Sequence, residues 1–174
     1  MEQYDKYSGL SWMTVEMKNV LVKRDKIVEE ENIDELFNFI DNSDFSIALH
    51  EILTNKYARD SKSLNEIQLN LLLCNQLENA GQAESILTFL QEWYPQYSTK
   101  VINSLNEIGA KKSSEIIKQA VEILPKDGSW FFETADEKKQ ELMAKLDRDF
   151  SNYPDGKMTD LYRKYAEINR NKIK

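Results

Sequence analysis

At 174 residues, with 41% hydrophobic and 30% charged residues, the chain has room for one domain with a sizeable core and the balance of an ordinary globular protein. Five Gly and three Pro argue against a sandwich or barrel of many tight turns, and a single Cys excludes an intrachain disulfide. The net charge of −7 makes direct nucleic-acid binding a poor fit, because that needs a basic face to displace counterions.

The pattern is helical almost throughout, and the fold class it points to is all-α, a bundle of seven or eight helices. "MEQYDKYSGL" has no basic start followed by an apolar run, so no secretory signal is visible. Residues 1–25 read as an N-terminal arm, in which "TVEMKNVLVK" mixes alternation with β-branched residues and fits either a short strand or an arm lying on the helices. The helical domain is expected over 26–174. Asn32 with Glu35 has capping-box spacing, ahead of Leu36, Phe37 and Ile40. Asp44 to Leu53 repeats that logic. Ser63 with Glu66 opens the longest apolar helix, in which Leu64, Ile67, Leu71 and Cys74 follow three-four spacing. Leu69, Leu72, Leu73 and Leu77 widen the stripe, which predicts a central, surrounded helix.

Gly81 interrupts the pattern, which resumes until Pro95. Ser98 can start a helix that turns Val101, Ile102, Leu105 and Ile108 inward and ends at Gly109 in the left-handed position. Ile116 to Leu124 carry another, stopped by Pro125, and "PKDGSWFF" reads as a connector. Thr134 with Glu137 suggests a third capping box, followed by Leu142, Met143, Leu146 and Phe150. Pro154 and Gly156 break that helix, and Leu161 to Ile168 supply the last. The densest apolar run, "LNLLLC", falls far short of the roughly 20 residues of a membrane span. The expectation is a cytoplasmic protein without membrane contact.

No catalytic, cofactor-binding or metal-ligating constellation is visible. In "LDRDFSNYPDGK", a calcium loop counted from Asp147 finds Asp149 at the third place but Asn152 where glycine belongs and Met158 where glutamate belongs. Asp147 and Asp149, two apart on a helix, point in different directions, so the run reads as a helix end followed by a Pro-Asp-Gly turn. Zinc needs clustered Cys and His, and here there is one of each, Cys74 and His50. Cys74 falls on the apolar stripe and reads as packing; His50 reads as a surface or packing residue. There is no glycine-rich phosphate loop and no nucleophile elbow.

Two features suit binding instead. In "GSWFFE" three aromatics in a row cannot share one direction: two can dock into the core with one covering an edge, or Trp130 can serve as an aromatic anchor for a partner. The second feature is charge. Residues 1–60 hold 13 acids against 7 bases, 61–128 hold eight against six, and 129–174 hold nine against ten, so acidity sits at the front. Glu29, Glu30, Glu31, Asp34, Glu35, Asp41 and Asp44 crowd a stretch whose one base is Lys26. Glu30–Asp34 and Glu31–Glu35 have the like-charge spacing of a helix, unfavourable if one helix holds them. Acids near a helix N-terminus are favoured by its dipole, which is one account of the run. The other is a partner-binding face: four helical residues advance about 6 Å, the order of phosphate spacing along a nucleic-acid strand. The basic tail "YRKYAEINRNKIK" places Tyr162, Tyr165 and Ile168 on a stripe and reads as a solvated helix face.

Together, "LNEIQLNLLLCNQLENAGQ", "SLNEIGAKKSSEIIKQA", "LPKDG" and "LDRDFSNYP…LYRKY" resemble the bacterial DNA-mimic protein family over roughly residues 63–165. At Asn79-Ala80-Gly81-Gln82 one family glycine and an aromatic are absent. The resemblance implies a helical domain, a homodimer, and binding to a DNA-binding protein, a transcriptional repressor in the characterised case, through surface carboxylates. The expected function is therefore a non-enzymatic interaction protein whose acidic surface binds a basic, DNA-binding protein. An immunity- or antitoxin-like binder of one partner is the alternative, and an enzyme with an unrecognised site is the third reading.

Overall fold

The structure, a computed structural model, describes residues 6–173. Among these every regular element is a helix, and seven helices have nine residues or more. The elements are α1 (Val15–Glu29), α2 (Ile33–Leu36), α3 (Asn42–Arg59), α4 (Glu66–Ala83), α5 (Lys100–Ile108), α6 (Lys111–Glu122), α7 (Phe131–Thr134), α8 (Glu137–Ser151), α9 (Met158–Ile168) and α10 (Arg170–Ile173). A π-helical turn over Thr88–Trp93 and a 3₁₀ turn over Pro95–Tyr97 link α4 to α5.

The strand considered for Thr14–Lys23 is not formed. Thr14 accepts a hydrogen bond from the Met17 amide and caps α1, which runs across the expected boundary between arm and helical domain. β-branched residues lower helix propensity only slightly, and packing of α1 on α3 overrides it. Only the last part of α1, around Ile27 and Val28, is buried. Val15 and Val22, on one helical face, are exposed.

α4 is central, as its wide apolar stripe predicts: Leu71 to Leu77 is buried without interruption, and α3, α5, α8 and α10 surround it. A buried helix must also satisfy its polar side chains. Asn70 accepts from Ser104 Oγ (2.8 Å) and donates to Tyr165 Oη (3.1 Å), while Gln68 donates to the Ile173 carbonyl (2.7 Å). The caps differ from the expected ones. α4 begins with a reciprocal box of Asn65 and Gln68, not Ser63 and Glu66, and Asp136 rather than Thr134 caps α8. At α2, Asn32 accepts from the Glu35 amide, and Asp41, not Asp44, caps α3.

Gly81 does not break α4. Phe150 of α8 sits so close that a β-carbon there would lie 3.1 Å from its ring, so Gly81 marks a close helix crossing. Gly109 does end α5 as expected, at φ 93°.

Candidate partner-binding surface

The acid run divides between three helices. Glu29 ends α1, and Glu31, at φ 49°, turns the chain before α2. The break removes the like-charge spacing expected for Glu30–Asp34 and Glu31–Glu35, since no single helix holds either pair. It also replaces the regular carboxylate row with a bend. Glu30, Glu31 and Asp34 line one hollow of about 340 Å³, together with Asn32, Ile33, Ile52 and Lys56. Glu35 is in the first turn of α2 and Asp44 in that of α3. Asp41 is engaged by its own backbone: the Asp44 amide (3.1 Å) and then the Ser43 amide (2.7 Å) donate to it and hold its carboxyl below the usual range. Asp41 and Asp44 thus have structural work at a helix N-terminus.

Two of the bases that accompany these acids come from distant sequence: Glu31 pairs with Arg59 at 2.5 Å, and Arg170 of α10 approaches Asp34 at 3.9 Å, while Lys26, one helical turn before it, approaches Glu30 at 3.9 Å. Asp25 is engaged by Lys6 and Tyr7, each at 2.8 Å; burial alone would raise its pKa, but these two hydrogen bonds outweigh that and lower it.

Arg163 of α9 does most to join the ends of the chain. Its guanidinium donates to the carbonyls of Phe37 (3.0 Å) and Phe39 (3.2 Å), pairs with Glu167 (2.7 Å) and lies over the Phe45 ring at 4.6 Å. Asn42 adds a hydrogen bond to Asp160 (2.8 Å). The charge separation evident along the sequence is thereby reduced in space, because the C-terminal helices fold back onto the acidic front. The solvated face expected for the tail is therefore incomplete: Tyr162, Tyr165 and Ile173 are buried, while Ile168 of the expected stripe is exposed.

The other candidates have clear positions. Asp147 accepts from the Ile86 amide (2.8 Å), bracing the chain after α4. Asp155, beyond the end of α8, accepts from the amides of Lys112 (3.0 Å) and Ser113 (2.7 Å) and from Ser113 Oγ (2.8 Å). It caps α6, whose own N-cap residue, Ala110, has no acceptor side chain. Sequence spacing could not show this, since helix and cap lie more than forty residues apart. Cys74 is fully buried, and burial, then the Glu78 carboxylate, push its thiol well above the ordinary value. In the aromatic run Phe131 is buried, Trp130 packs partly against the core and Phe132 is the exposed ring; Phe131 to Thr134 form a helical turn that begins at the end of the expected connector and runs past it. Among the described residues no group of three or more His, Cys, Asp or Glu side chains is placed to hold a metal ion, and no helix is long and apolar enough to cross a membrane.

These features define an all-helical protein with a bent, carboxylate-bearing surface assembled from α1, α2 and the start of α3. The chain belongs to the DMP19-like protein family, whose model matches residues 62–171. That span holds α4 to α9 and the start of α10, and excludes every acid of the run from Glu29 to Asp44. No curated protein and no solved structure shows significant similarity to the chain.

Proposed function

We propose that the protein is a non-enzymatic binder of a basic, DNA-binding protein and occupies that partner's nucleic-acid face as a DNA mimic. Membership of the DMP19-like family carries this reading. The carboxylates of Glu29, Glu30, Glu31, Asp34 and Glu35 supply the negative surface, and their bent arrangement suits a curved face better than a straight groove. Glu30, Glu31 and Asp34 each have a base nearby, and a more basic partner would compete with those contacts. A partly exposed ion pair contributes only about 0–1 kcal/mol, so exchanging it costs little.

Affinity in this reading is electrostatic and falls steeply with salt. Charge reversal at Glu30, Glu31, Asp34 and Glu35 together should weaken partner binding by at least tenfold; unchanged affinity would remove these residues from the interface. The family also carries the expectation of a homodimer, which sedimentation velocity tests directly.

An immunity-like binder of one protein partner is the second reading, and the exposed ring of Phe132, packed against Trp130 at 6.0 Å, favours it. It places the anchor at Phe132 rather than Trp130, and predicts binding that survives high salt.

A further inference from the structure

Three phenylalanines lie where α2 leads into α3, and each has a cation over its ring. Lys23 stands 5.0 Å from the Phe39 centroid, Arg163 4.6 Å from that of Phe45, and Arg170 4.3 Å from that of Phe37. The face of an aromatic ring attracts a cation, and a planar guanidinium can also stack on it. Phe39 and Phe45 are buried, whereas Phe37 is only partly so. Its ring is therefore the one that can be offered to another molecule.

The two arginines differ in how firmly they are held. The Arg163 side chain is 16% exposed and donates to two carbonyls besides Glu167. The Arg170 side chain is 49% exposed, and beyond the Phe37 ring its guanidinium has only Asp34, at 3.9 Å. An exposed ion pair of that length contributes little. The backbone of α10 does not rely on it. Ile173 is fully buried, Gln68 donates to the Ile173 carbonyl at 2.7 Å, and Asn65 donates to the Lys172 carbonyl at 2.6 Å. Turning the Arg170 side chain into solvent thus uncovers Phe37 and Asp34 while α10 stays in place. Arg163 also reaches Phe37, at 5.6 Å, with its own charge paired to Glu167, and the position of Arg170 shows that a second guanidinium fits beside it.

We propose that Phe37 and Asp34 form an arginine site on the acidic face, occupied in the free protein by the chain's own Arg170, and that an arginine of the partner takes its place. The inference rests on the acidic face as the binding surface and adds which basic side chain is read there. Asp34 lines the same hollow as Glu30 and Glu31, so an incoming base meets their charge as well. A guanidinium satisfies both the carboxylate and the ring. A lysine ammonium is a compact, strongly hydrated charge that suits the carboxylate and gains less from stacking. Arg170 is then an internal competitor, and Phe37 sets the preference for arginine.

Fluorescence anisotropy with labelled hexa-arginine and hexa-lysine peptides, equal in charge, tests this on the full chain at low salt. Arg170→Ala should bind hexa-arginine about threefold tighter than the unaltered protein does, the scale of one exposed contact between a cation and a ring. Lys172→Ala removes an equal charge from the same helix and leaves the Arg170 contacts in place, so its affinity should stay near the original. Phe37→Leu keeps an apolar side chain without the ring, and should lose the preference for hexa-arginine over hexa-lysine. The comparison of Arg170→Ala with Lys172→Ala decides the matter even if Phe37→Leu does not fold. Equal tightening in those two variants, or equal affinity of Arg170→Ala for both peptides, would overturn the arginine site. Charge reversal at Glu30, Glu31, Asp34 and Glu35 separates it from the reading beneath. Binding lost there but not tightened in Arg170→Ala keeps the acidic face and removes the arginine site. Binding that the charge-reversal variant retains, or no saturable binding of either peptide, overturns both.

Discussion

Replacing Arg163 by Ala should destabilise the protein by about 3 kcal/mol. The arginine side chain is 16% exposed and clips α9 to the bend that leads into α3. Its loss leaves the Phe37 and Phe39 carbonyls without their donor. Hydrogen bonds to a charged group contribute about 1.5–3 kcal/mol each, and the stacking over Phe45 and Phe37 adds about 0.5–2 kcal/mol. The simple total exceeds 3 kcal/mol, but the bonds share one side chain and water can reach the vacated carbonyls, so the lower part of the range applies. Arg163→Lys keeps the charge but cannot span two carbonyls 3.0 and 3.2 Å from separate guanidinium nitrogens, and should cost about 1–2 kcal/mol. Urea unfolding followed by far-UV circular dichroism measures both, with unchanged slope and a lower midpoint. In a domain of this size the alanine variant should melt about 6–12 °C lower. A loss below about 1 kcal/mol, or a lysine variant equal to the original, would refute the view that the guanidinium fork holds the N-terminal helices to the family domain.

Asp155→Ala should cost about 1–2 kcal/mol, read from the thermal midpoint, because α6 loses the acceptor for its first amides; a neutral result would mean that water caps this helix equally well. His50 and Glu78, whose pKa values burial moves in opposite directions, should act oppositely with pH. Above the ordinary histidine value of 6.5, His50 is neutral in folded and unfolded chains alike. Below it the unfolded chain takes up a proton that the folded one resists, so stability falls as pH drops, and His50→Gln should flatten that segment of a plot of urea midpoint against pH. Glu78 has a raised folded pKa, so its contribution is full below its ordinary value of 4.5 and is lost as pH rises through the raised value; Glu78→Gln should remove that loss. Profiles parallel to the original in both variants would contradict the two assignments. Cys74 should resist a thiol-specific chromogenic reagent in the folded protein and react fully in urea, and rapid labelling of the native state would show that α4 is not the buried centre.

What the sequence revealed follows the range of the forces involved. Periodicity is local, so the stripe of Leu71, Cys74 and Leu77 was enough to identify the central helix, and Gly109, which must adopt a left-handed conformation, marked the end of α5. α1 was obscured because Val15, Val20 and Val22 weaken the helical signal, while its anchoring residues, Ile27 and Val28, come only at its end. Caps were misplaced by two or three residues where several acceptors adjoin, as at Ser63 and Asn65, Thr134 and Asp136, or Asp44 and Asp41. The acid run was visible as composition, but its shape was not: the bend at Glu31 and the approach of Arg59 and Arg170 depend on tertiary structure. Contacts between distant helices were least legible, since Glu78 and Tyr162, 84 residues apart, share no motif.

The central claim is that this protein binds a basic partner in place of nucleic acid. The most direct measurement is capture of the DNA-binding protein from native extract on the immobilised chain, followed by elution with increasing duplex DNA at low salt and, separately, with salt alone. The account predicts a captured DNA-binding protein that duplex DNA displaces competitively, that rising salt releases, and that the Glu30, Glu31, Asp34 and Glu35 charge-reversal variant fails to retain. A partner that stays bound through both elutions, or that the variant captures equally well, would contradict it.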